Sequence, residues 1–469
     1  MSSPSPGNAT LTRGLGLIGA IGVTLGTIIG TGVFLKARVM TCNVDSPALV
    51  LLAWFMAGLL SLAGALTYAE LSAMIPRAAG EYVIMSRAYG PRWGFLWGWT
   101  QSTIAYTGSQ AAKGVAFAIF LNVLLGGILD INFFTVPFFS LELAFGGIQL
   151  VALTTIVAVT LINFAAVAAT GGLAVVLTSI KIAIILAIGT GAFLMADGNW
   201  THFLSSGAEG SCEGVSASAR SGMAGFAAAM LGALWAYDGW NYMAVIAGEI
   251  KDPHRNIPLG LIGGVGIVMG LYLFVNLAYF HVLTPVEIAG VATSSSVATE
   301  VVRKFLGSIA VSLIAASMMI STLGSLHSGI LTGARIPYVM AQDGLFFRRL
   351  AHVSPRTRVP TNGVIWTGFW ACVLALTGSF DKLTDYVIFA EFLFYGMVAS
   401  SVFIFRRRMP DAERPHLTWG YPVVPALFVL VTAWLVINTL ITSPRQSLVG
   451  LGLIALGLPF YEYWSRRAK

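Results

Sequence analysis

The stretch Gly26-Thr-Ile-Ile-Gly-Thr-Gly-Val33 lies in the second half of an apolar segment that is long enough to cross a lipid bilayer. Four further glycines precede it, at positions 14, 16, 19 and 22. A helix can break at membrane depth only where protein or a water-filled cavity satisfies the freed peptide groups. Such a break exposes amide N–H groups at the start of a half-helix, which suits a carboxylate. The stretch therefore indicates either a buried small-molecule site in a transporter or close helix packing through small residues.

The composition is that of a membrane protein. Of the 469 residues, 57% are hydrophobic and only 10% are charged, and the mean hydropathy is +0.81. A soluble protein carries about 25% charged residues. Twelve segments have the length of about 20 apolar residues that spans a bilayer. They are 11–35, 48–74, 94–124, 148–167, 172–196, 222–248, 258–282, 305–332, 361–378, 384–404, 421–441 and 446–464. The sequence predicts an all-α polytopic membrane protein with twelve transmembrane helices.

The positive charges follow the expected topology. If the N-terminus is cytoplasmic, the even-numbered loops and both termini hold 18 of the 27 Lys and Arg residues, and the outer loops hold seven. The remaining two, Lys113 and Lys181, fall inside predicted spans. This bias places both termini in the cytoplasm. We expect the chain to lie in the plasma or inner membrane. The net charge of +7 thus reports topology and does not indicate a nucleic-acid partner.

Breaks at matching positions suggest an internal repeat. The first five spans cover residues 11–196 and the next five cover 222–404, and the first span of each set is interrupted, at Gly26–Gly32 and at Trp235–Asn241. Because five is an odd number, the second set enters the membrane from the opposite side. This predicts a 5+5 inverted repeat with binding at the midplane between two discontinuous helices. The last two spans, at about 421–464, lie outside the repeat, and the whole chain forms one transmembrane domain.

Four blocks of sequence resemble the amino acid–polyamine–organocation transporter superfamily, and within it the L-amino-acid transporter-like group. They are Gly26–Phe34, Tyr68–Tyr82 running on to Tyr89-Gly-Pro91, Tyr237–Asn241 followed by Gly248–Pro258, and Gly333–Leu345. The resemblance implies a LeuT-like fold and secondary active transport of amino acids by alternating access, as an exchanger or a proton-linked carrier. The alternatives are a polyamine or organic-cation carrier, and a non-transporting amino-acid receptor, which would normally carry an added signalling domain.

The resemblance also implies which backbone groups at the two breaks bind each end of the substrate. The substrate's α-carboxylate would dock on backbone amides at the start of the outer half of span one. Its α-ammonium would meet carbonyls at the ends of the inner half of span one and the outer half of span six. The substrate-binding residues expected from this are Thr27, Ile28, Gly30, Thr31, Gly32, Trp235, Ala236 and Asp238. We favour Trp235, Tyr237 and Trp240 as pocket or gate residues over packing residues, with Trp235 closing the site from outside.

Two lysines inside spans are candidate gating or coupling residues, because a buried charge in a membrane is costly. The resemblance implies that Lys181 takes the place of a sodium ion, which makes transport sodium-independent. Its ammonium would reach a carbonyl near Gly22–Thr24 and a hydroxyl near Ser321; the alternative is snorkelling to the inner surface. Lys113 either faces the pocket and favours an acidic side chain, or pairs with Glu70.

No enzyme, cofactor or metal site is indicated. The glycine-rich stretches lack the Gly-Lys-Ser/Thr of a phosphate-binding loop, and no His/Glu cluster has metal-ligand spacing. The expected partners are an amino acid and membrane lipid. No disulfide-linked accessory subunit is expected, since residues 125–147, the loop after span three, contain no cysteine. Cys42 and Cys212 both fall in predicted outer segments, where a bridge is one alternative, but two free thiols are the interpretation we favour.

Overall fold

A computed structural model describes residues 13–138, 141–164, 167–208, 212–213, 215–292, 295–376, 380–442 and 444–467. Span one is divided into α1 (Leu17–Ile28) and α2 (Gly32–Val44), which meet at an angle of 43°. The helices up to the middle of the chain are α3 (Pro47–Met74), α4 (Gly80–Tyr89), α5 (Pro91–Thr103), α6 (Ala105–Leu124), α7 (Gly147–Ile162), α8 (Val167–Met195), α9 (Gly222–Tyr237) and α10 (Tyr242–Val245).

The second part of the chain continues the helical pattern. Its helices are α11 (Pro253–Val282), α12 (Pro285–Ala289), α13 (Val297–Leu306), α14 (Ile309–Gly333), α15 (Arg335–Gln342), α16 (Thr361–Ala375), α17 (Phe380–Arg408), α18 (Val423–Thr442), α19 (Pro444–Ala455) and α20 (Gly457–Arg467). Several helices begin at a proline, whose fixed φ suits the first turn and whose missing N–H needs no partner there. These prolines are Pro47, Pro91, Pro253 and Pro285.

Each of the twelve predicted spans coincides with a helix or with a divided pair of helices. By length and composition, six helices of the described residues could cross a membrane, and the bent pair α1–α2 makes a seventh. The other predicted spans are shorter, more polar or divided, as at Ile104 between α5 and α6. The outer loop after span three contains an antiparallel hairpin that we did not predict, formed by β1 (Asn132–Phe138) and β2 (Leu141–Gly146).

The two broken helices lie side by side in the centre of the helical bundle. The half-helix α2 packs against α9, while α1 packs against α8, α11 and α14. Helix α14 in turn packs against α6. Span one is therefore flanked by spans five, seven and eight, and span three packs on span eight. These four spans carry most of the polar side chains of the site described below.

The outer end of span one is covalently joined to the loop between spans five and six. Cys42 and Cys212 form a disulfide with a Cα–Cα distance of 5.6 Å, so the preferred interpretation of two free thiols is wrong. The backbone amide of Gly207 donates to the Asp45 carboxylate at 3.0 Å, and Arg38 donates to the Glu213 carbonyl at 2.8 Å. These contacts hold the loop against α2 and bring together two cysteines that are 170 residues apart in sequence.

Candidate substrate-binding site

The break in span one exposes unpaired backbone donors. Helix α1 ends at Ile28 and α2 begins at Gly32. In the described part of the chain, the amides of Gly30, Thr31 and Gly32 donate no hydrogen bond to a protein acceptor. The first amides of any helix lack an intrahelical acceptor, and the helix dipole adds partial positive charge at the same place. This end of α2 can therefore bind an anion such as a carboxylate.

The break in span six lies directly against the break in span one. Helix α9 ends at Tyr237, and Gly239 has a φ of 108°, which is the left-handed region that favours glycine. A Cβ atom at Gly239 would lie 2.9 Å from the carbonyl oxygen of Thr27. The Thr27 hydroxyl lies 2.9 Å from the Gly239 carbonyl. The two chain breaks thus touch through backbone atoms, and only glycine fits at this contact.

Carbonyl groups at the ends of α1 and α9 face the same side chain. The hydroxyl of Tyr272, on α11, lies 3.0 Å from the Ala236 carbonyl and 3.3 Å from the Ile28 carbonyl. The Trp235 carbonyl accepts the amide of Asp238 at 3.2 Å. A carbonyl oxygen has two lone pairs, so each of these groups can accept a second donor. The arrangement can therefore hold an ammonium group across from the α2 amides.

A small cavity of about 30 Å³ lies between the two breaks, with room for about two water molecules. All eight residues that the sequence predicts for substrate binding line it, and so does Lys113. The remaining lining residues, Ser109, Thr322 and Ser325, were not predicted. They come from α6 and α14, and a hydroxyl in an apolar helix carries no local sequence signal that separates a pocket residue from a packed one.

Lys181 lies behind this cavity and is 1% exposed. Its ammonium donates to the carbonyls of Gly26 at 2.9 Å and Ile29 at 2.8 Å, and to the Ser325 hydroxyl at 2.7 Å. We expected a carbonyl near Gly22–Thr24 and a hydroxyl near Ser321 as partners. The observed partners lie about one helical turn further along α1 and α14. The reason is that carbonyls within α1 are used by the helix itself, whereas those at its end are free to accept.

Ser321 contacts span one at a different point. Its hydroxyl lies 3.4 Å from the Gly30 carbonyl, one turn of α14 away from Ser325. The Ser325 hydroxyl, in contrast, lies 3.0 Å from the Ile29 carbonyl and bonds with Lys181. Spans one, five and eight are thus joined at the break by one ammonium group and two hydroxyls.

Lys113 contributes its ammonium group to the cavity wall. The Nζ atom lies 3.5 Å from Gln110 Oε1 and 5.8 Å from the centre of the Tyr242 ring. The proposed pair with Glu70 is wrong, because both Glu70 oxygens accept from Arg406, at 3.0 and 2.7 Å. Glu70 lies near the end of α3, beside the basic end of α17, and is separated from the pocket.

Asp238 connects the cavity to a buried polar network. The Tyr395 hydroxyl lies 2.6 Å from Asp238 Oδ1 and 3.0 Å from Asn241 Oδ1. The Asn241 amide in turn donates to Glu81 at 3.2 Å. Tyr395 comes from α17 and Glu81 from α4, so these contacts join residues more than 150 positions apart. Sequence reasoning identified Asp238 from its place in the break but had no signal for its partners.

Of the three aromatic residues favoured for the pocket, only Trp235 lines the cavity. The Lys36 ammonium lies 5.1 Å from the centre of its ring. Tyr237 and Trp240 are buried packing residues instead, so that interpretation is wrong for them. Tyr237 packs edge-on against Trp54 at 6.0 Å, and Trp240 packs against Tyr68 at 4.8 Å. Successive helical residues point in different directions, so neighbours in a break do not share one environment.

A buried ion pair lies on the side of the site opposite the disulfide. Arg335 and Glu249 are each 1% exposed and form a two-pronged contact at 2.6 and 2.8 Å. The Glu249 carbonyl also accepts the amides of Gly14 and Leu15, at 3.0 and 3.1 Å. The start of span one, the end of span six and the segment after span eight are thus tied together. The two charged residues lie in two of the quoted sequence blocks, Glu249 in Gly248–Pro258 and Arg335 in Gly333–Leu345. A charge next to apolar residues in each block could have indicated a buried pair.

Comparison with known proteins gives matches over nearly the whole chain. The family profile described as amino acid permease matches residues 15–458. The chain is 30% identical over 464 residues to the serine/threonine exchanger SteT of Bacillus subtilis, which covers 97% of this chain and 98% of the relative. It is 30% identical over 467 residues to the b(0,+)-type amino acid transporter 1 of Homo sapiens, covering 98% and 90% of the two chains.

A third relative is the large neutral amino acids transporter small subunit 2 of Oryctolagus cuniculus. It is 27% identical over 473 residues, covering 100% of this chain and 84% of the relative. These matches confirm the resemblance found in the sequence blocks. The chain therefore belongs to the amino acid permease family, whose members are multi-pass membrane transporters and not enzymes, and it has the twelve-span LeuT-like fold of that family.

Proposed function

We propose that the protein is a secondary active transporter of amino acids that works by alternating access, as an exchanger or a proton-linked carrier. The observation that carries this proposal is the meeting of opposite backbone dipoles around one cavity. Unpaired amides at the start of α2 lie where they can bind a carboxylate, and carbonyls at the ends of α1 and α9 lie where they can bind an ammonium. An α-amino acid presents these two groups one carbon atom apart.

Backbone recognition of this kind leaves the substrate's side chain to the remaining wall of the cavity. We infer that Gly30, Thr31 and Gly32 bind the α-carboxylate, and that the carbonyls of Thr27 and Ala236 belong to the ammonium side. Related proteins named for amino acids support the same substrate class. A polyamine has no carboxylate to use the amides, and the Lys113 ammonium in the wall would repel it, so the polyamine alternative is not favoured.

Transport is proposed to be independent of sodium. The Lys181 ammonium binds two carbonyls and a hydroxyl at 2.7–2.9 Å between spans one, five and eight. A sodium ion at this place would have to use the same oxygen atoms. The lysine therefore already supplies the positive charge, and replacing sodium by choline is expected to leave uptake unchanged.

We further propose that both termini are cytoplasmic and that the protein lies in the cell membrane. The excess of Lys and Arg in the even-numbered loops supports this orientation. The Cys42–Cys212 bridge supports an oxidising compartment on the side of the loop between spans five and six. Cysteines introduced at the exposed positions Ser206 and His352 should therefore react with impermeant reagents from opposite sides. Labelling from the same side would contradict the topology.

The protein is proposed to work without a disulfide-linked accessory subunit. Two of its three cysteines are bonded to each other, and the third, Cys372, lies within α16. The outer loop after span three contains no cysteine. Purified protein should therefore be active alone in liposomes, and a requirement for a second chain would overturn this part of the proposal.

Uptake by proteoliposomes tests the main proposal. Radiolabelled amino acids are offered to vesicles that are empty or preloaded with amino acid, with and without a pH gradient. Stimulation by preloading identifies an exchanger, and dependence on the gradient identifies a proton-linked carrier. Absence of uptake and of binding for every amino acid, in folded protein, would refute the proposal.

A matched pair of glycine substitutions tests the position of the carboxylate. An added Cβ at Gly30 has only the Ile28 carbonyl and the Ser325 hydroxyl near it, each at 3.9 Å, and both residues line the cavity. Gly30→Ala should therefore leave the fold intact but weaken substrate binding by about 5- to 150-fold, the effect of one overpacked methyl group. Gly266→Ala, with open space around its Cβ, is the control. Unchanged substrate affinity in Gly30→Ala would contradict the role of Gly30 in binding the carboxylate.

A further inference from the structure

The side-chain wall of the cavity is polar and carries a positive charge that has no salt-bridge partner among the described residues. Ser109 and Lys113 are four residues apart on α6 and thus lie on one face of that helix. Thr322, on α14, completes this wall. No described carboxylate oxygen lies within 4.0 Å of the Lys113 ammonium. Its nearest described contacts are a long one to Gln110, at 3.5 Å, and the ring of Tyr242 at 5.8 Å. The carboxylates of Asp238 and Glu391 attract it from beyond salt-bridge distance.

The other charged side chain of the wall is the carboxylate of Asp238, which suits a positive group of the substrate. Asp238 lies in the span-six break, next to the carbonyl ends, and is held there by the Tyr395 hydroxyl at 2.6 Å. It is therefore on the side proposed for the substrate's α-ammonium. The Thr322 hydroxyl already donates to the Met318 carbonyl at 2.9 Å, so it presents only lone pairs to the cavity. Lys113 is thus the strong donor of this part of the wall.

We propose that Lys113 binds the side-chain carboxylate of an acidic amino acid, aspartate or glutamate. This inference rests on the proposed function and names the substrate class of the same site. Three charged groups of the substrate would then meet three complementary groups: the α2 amides, the carbonyl ends with Asp238, and the Lys113 ammonium. A buried ammonium is costly without a close partner, and a carboxylate brought by the substrate supplies one.

The same cost of a buried ammonium predicts which amino acids the site would reject. An aliphatic side chain would close the cavity over an unpaired ammonium, so the site disfavours it as well as preferring an acid. A carboxamide has the same shape as a carboxylate but carries no charge, so it replaces an ion pair with an ion–dipole contact to the same ammonium. Loss of the second charge is expected to lower the affinity by about tenfold, because the attraction between two full charges is lost. Glutamate against glutamine, and aspartate against asparagine, are therefore the informative comparisons.

The test measures competition for binding and uptake by the full-length protein in liposomes. For the wild type, the acidic member of each pair should compete at least about tenfold better than its amide. In Lys113→Met, which keeps the length of the side chain and removes its charge, this preference should vanish or invert. Lys113→Arg should retain it, which provides a charged variant should the methionine protein fail to fold.

Lys36→Met is the matched control for loss of a positive charge. Lys36 lies over the ring of Trp235 at 5.1 Å and is not among the residues that line the cavity. Its loss should change uptake of acids and amides by the same factor. The inference is overturned if wild-type protein prefers serine or the amides, or if Lys113→Met keeps the wild-type ratio. If no amino acid competes at all, the proposed function itself fails, and this inference fails with it.

Discussion

Replacing Gly32 by alanine tests how closely the two broken helices must approach. An ideal Cβ at this position would lie 2.5 Å from the Cβ and 2.8 Å from the Cα of Ala236, where ordinary contacts are 3.4–4 Å. Helix α2 must therefore move away from α9 by about 1 Å. Overpacking of this size costs about 1–3 kcal/mol, or more where backbone cannot yield. The same movement separates the amides from the carbonyls across the cavity.

Gly32→Ala is therefore expected to lower the melting temperature and to weaken amino-acid binding by tenfold or more, the factor for about 1.4 kcal/mol. Gly32→Leu should abolish binding. The assay is scintillation-proximity binding of a labelled substrate, combined with thermal unfolding of the purified protein in detergent. Gly266→Ala, whose Cβ meets nothing within 4 Å, controls for the change of glycine to alanine in a membrane helix.

A double substitution separates the clash from other effects of alanine. Ala236→Gly removes the nearest clashing atom, so Gly32→Ala combined with Ala236→Gly should recover part of the lost stability and affinity. The reasoning is refuted if Gly32→Ala binds and melts like the wild type. It is also refuted if the double variant is no better than Gly32→Ala alone, since the contact with Ala236 would then not be the cause.

Three further predictions follow from contacts around the site. Lys181→Ala should still bind substrate but transport slowly, because charge-assisted bonds of about 1.5–3 kcal/mol each are lost at the hinge; wild-type turnover in vesicle uptake would contradict this. Glu249→Gln should destabilise the protein by about 3–5 kcal/mol in thermal or denaturant unfolding, since it leaves the Arg335 charge buried and unpaired, whereas changing both residues to methionine should cost less. Denatured, unreduced protein should react with one equivalent of maleimide and reduced protein with three, because Cys42 and Cys212 are bridged; three equivalents before reduction would exclude the bridge.

The parts of the fold that could be predicted are those that depend on residues close together in sequence. The predominantly apolar run 48–74 coincides with α3, Pro47–Met74, to within one residue. The glycine cluster around Gly30 predicted a break in the helix, because glycine has a low helix propensity and lets the backbone approach neighbouring groups closely. Each of these signals lies within a single span. That the residues of both breaks line one cavity was expected from the repeat and from the family resemblance, and not from local sequence.

The parts that could not be predicted depend on contacts between distant segments. The Lys181 ammonium meets Gly26 and Ile29 rather than an earlier turn, which depends on how α8 crosses α1. The Cys42–Cys212 bridge joins positions 170 residues apart and depends on the path of a loop. Neither distance has a signature in composition or periodicity. The partner of Glu70 was missed for the same reason, since Arg406 is 336 residues away.

The hydroxyl of Tyr272 has a single hydrogen atom, yet two carbonyl oxygens, one at the end of each broken helix, lie within its reach. At any moment it satisfies one of them, and the other is left as an acceptor for whatever enters the cavity. An arriving ammonium therefore finds a vacant acceptor without first having to break a bond. When it leaves, the rotating hydroxyl can take up either carbonyl again. One rotatable proton thus shares the cost of an unpaired carbonyl between the two chain breaks.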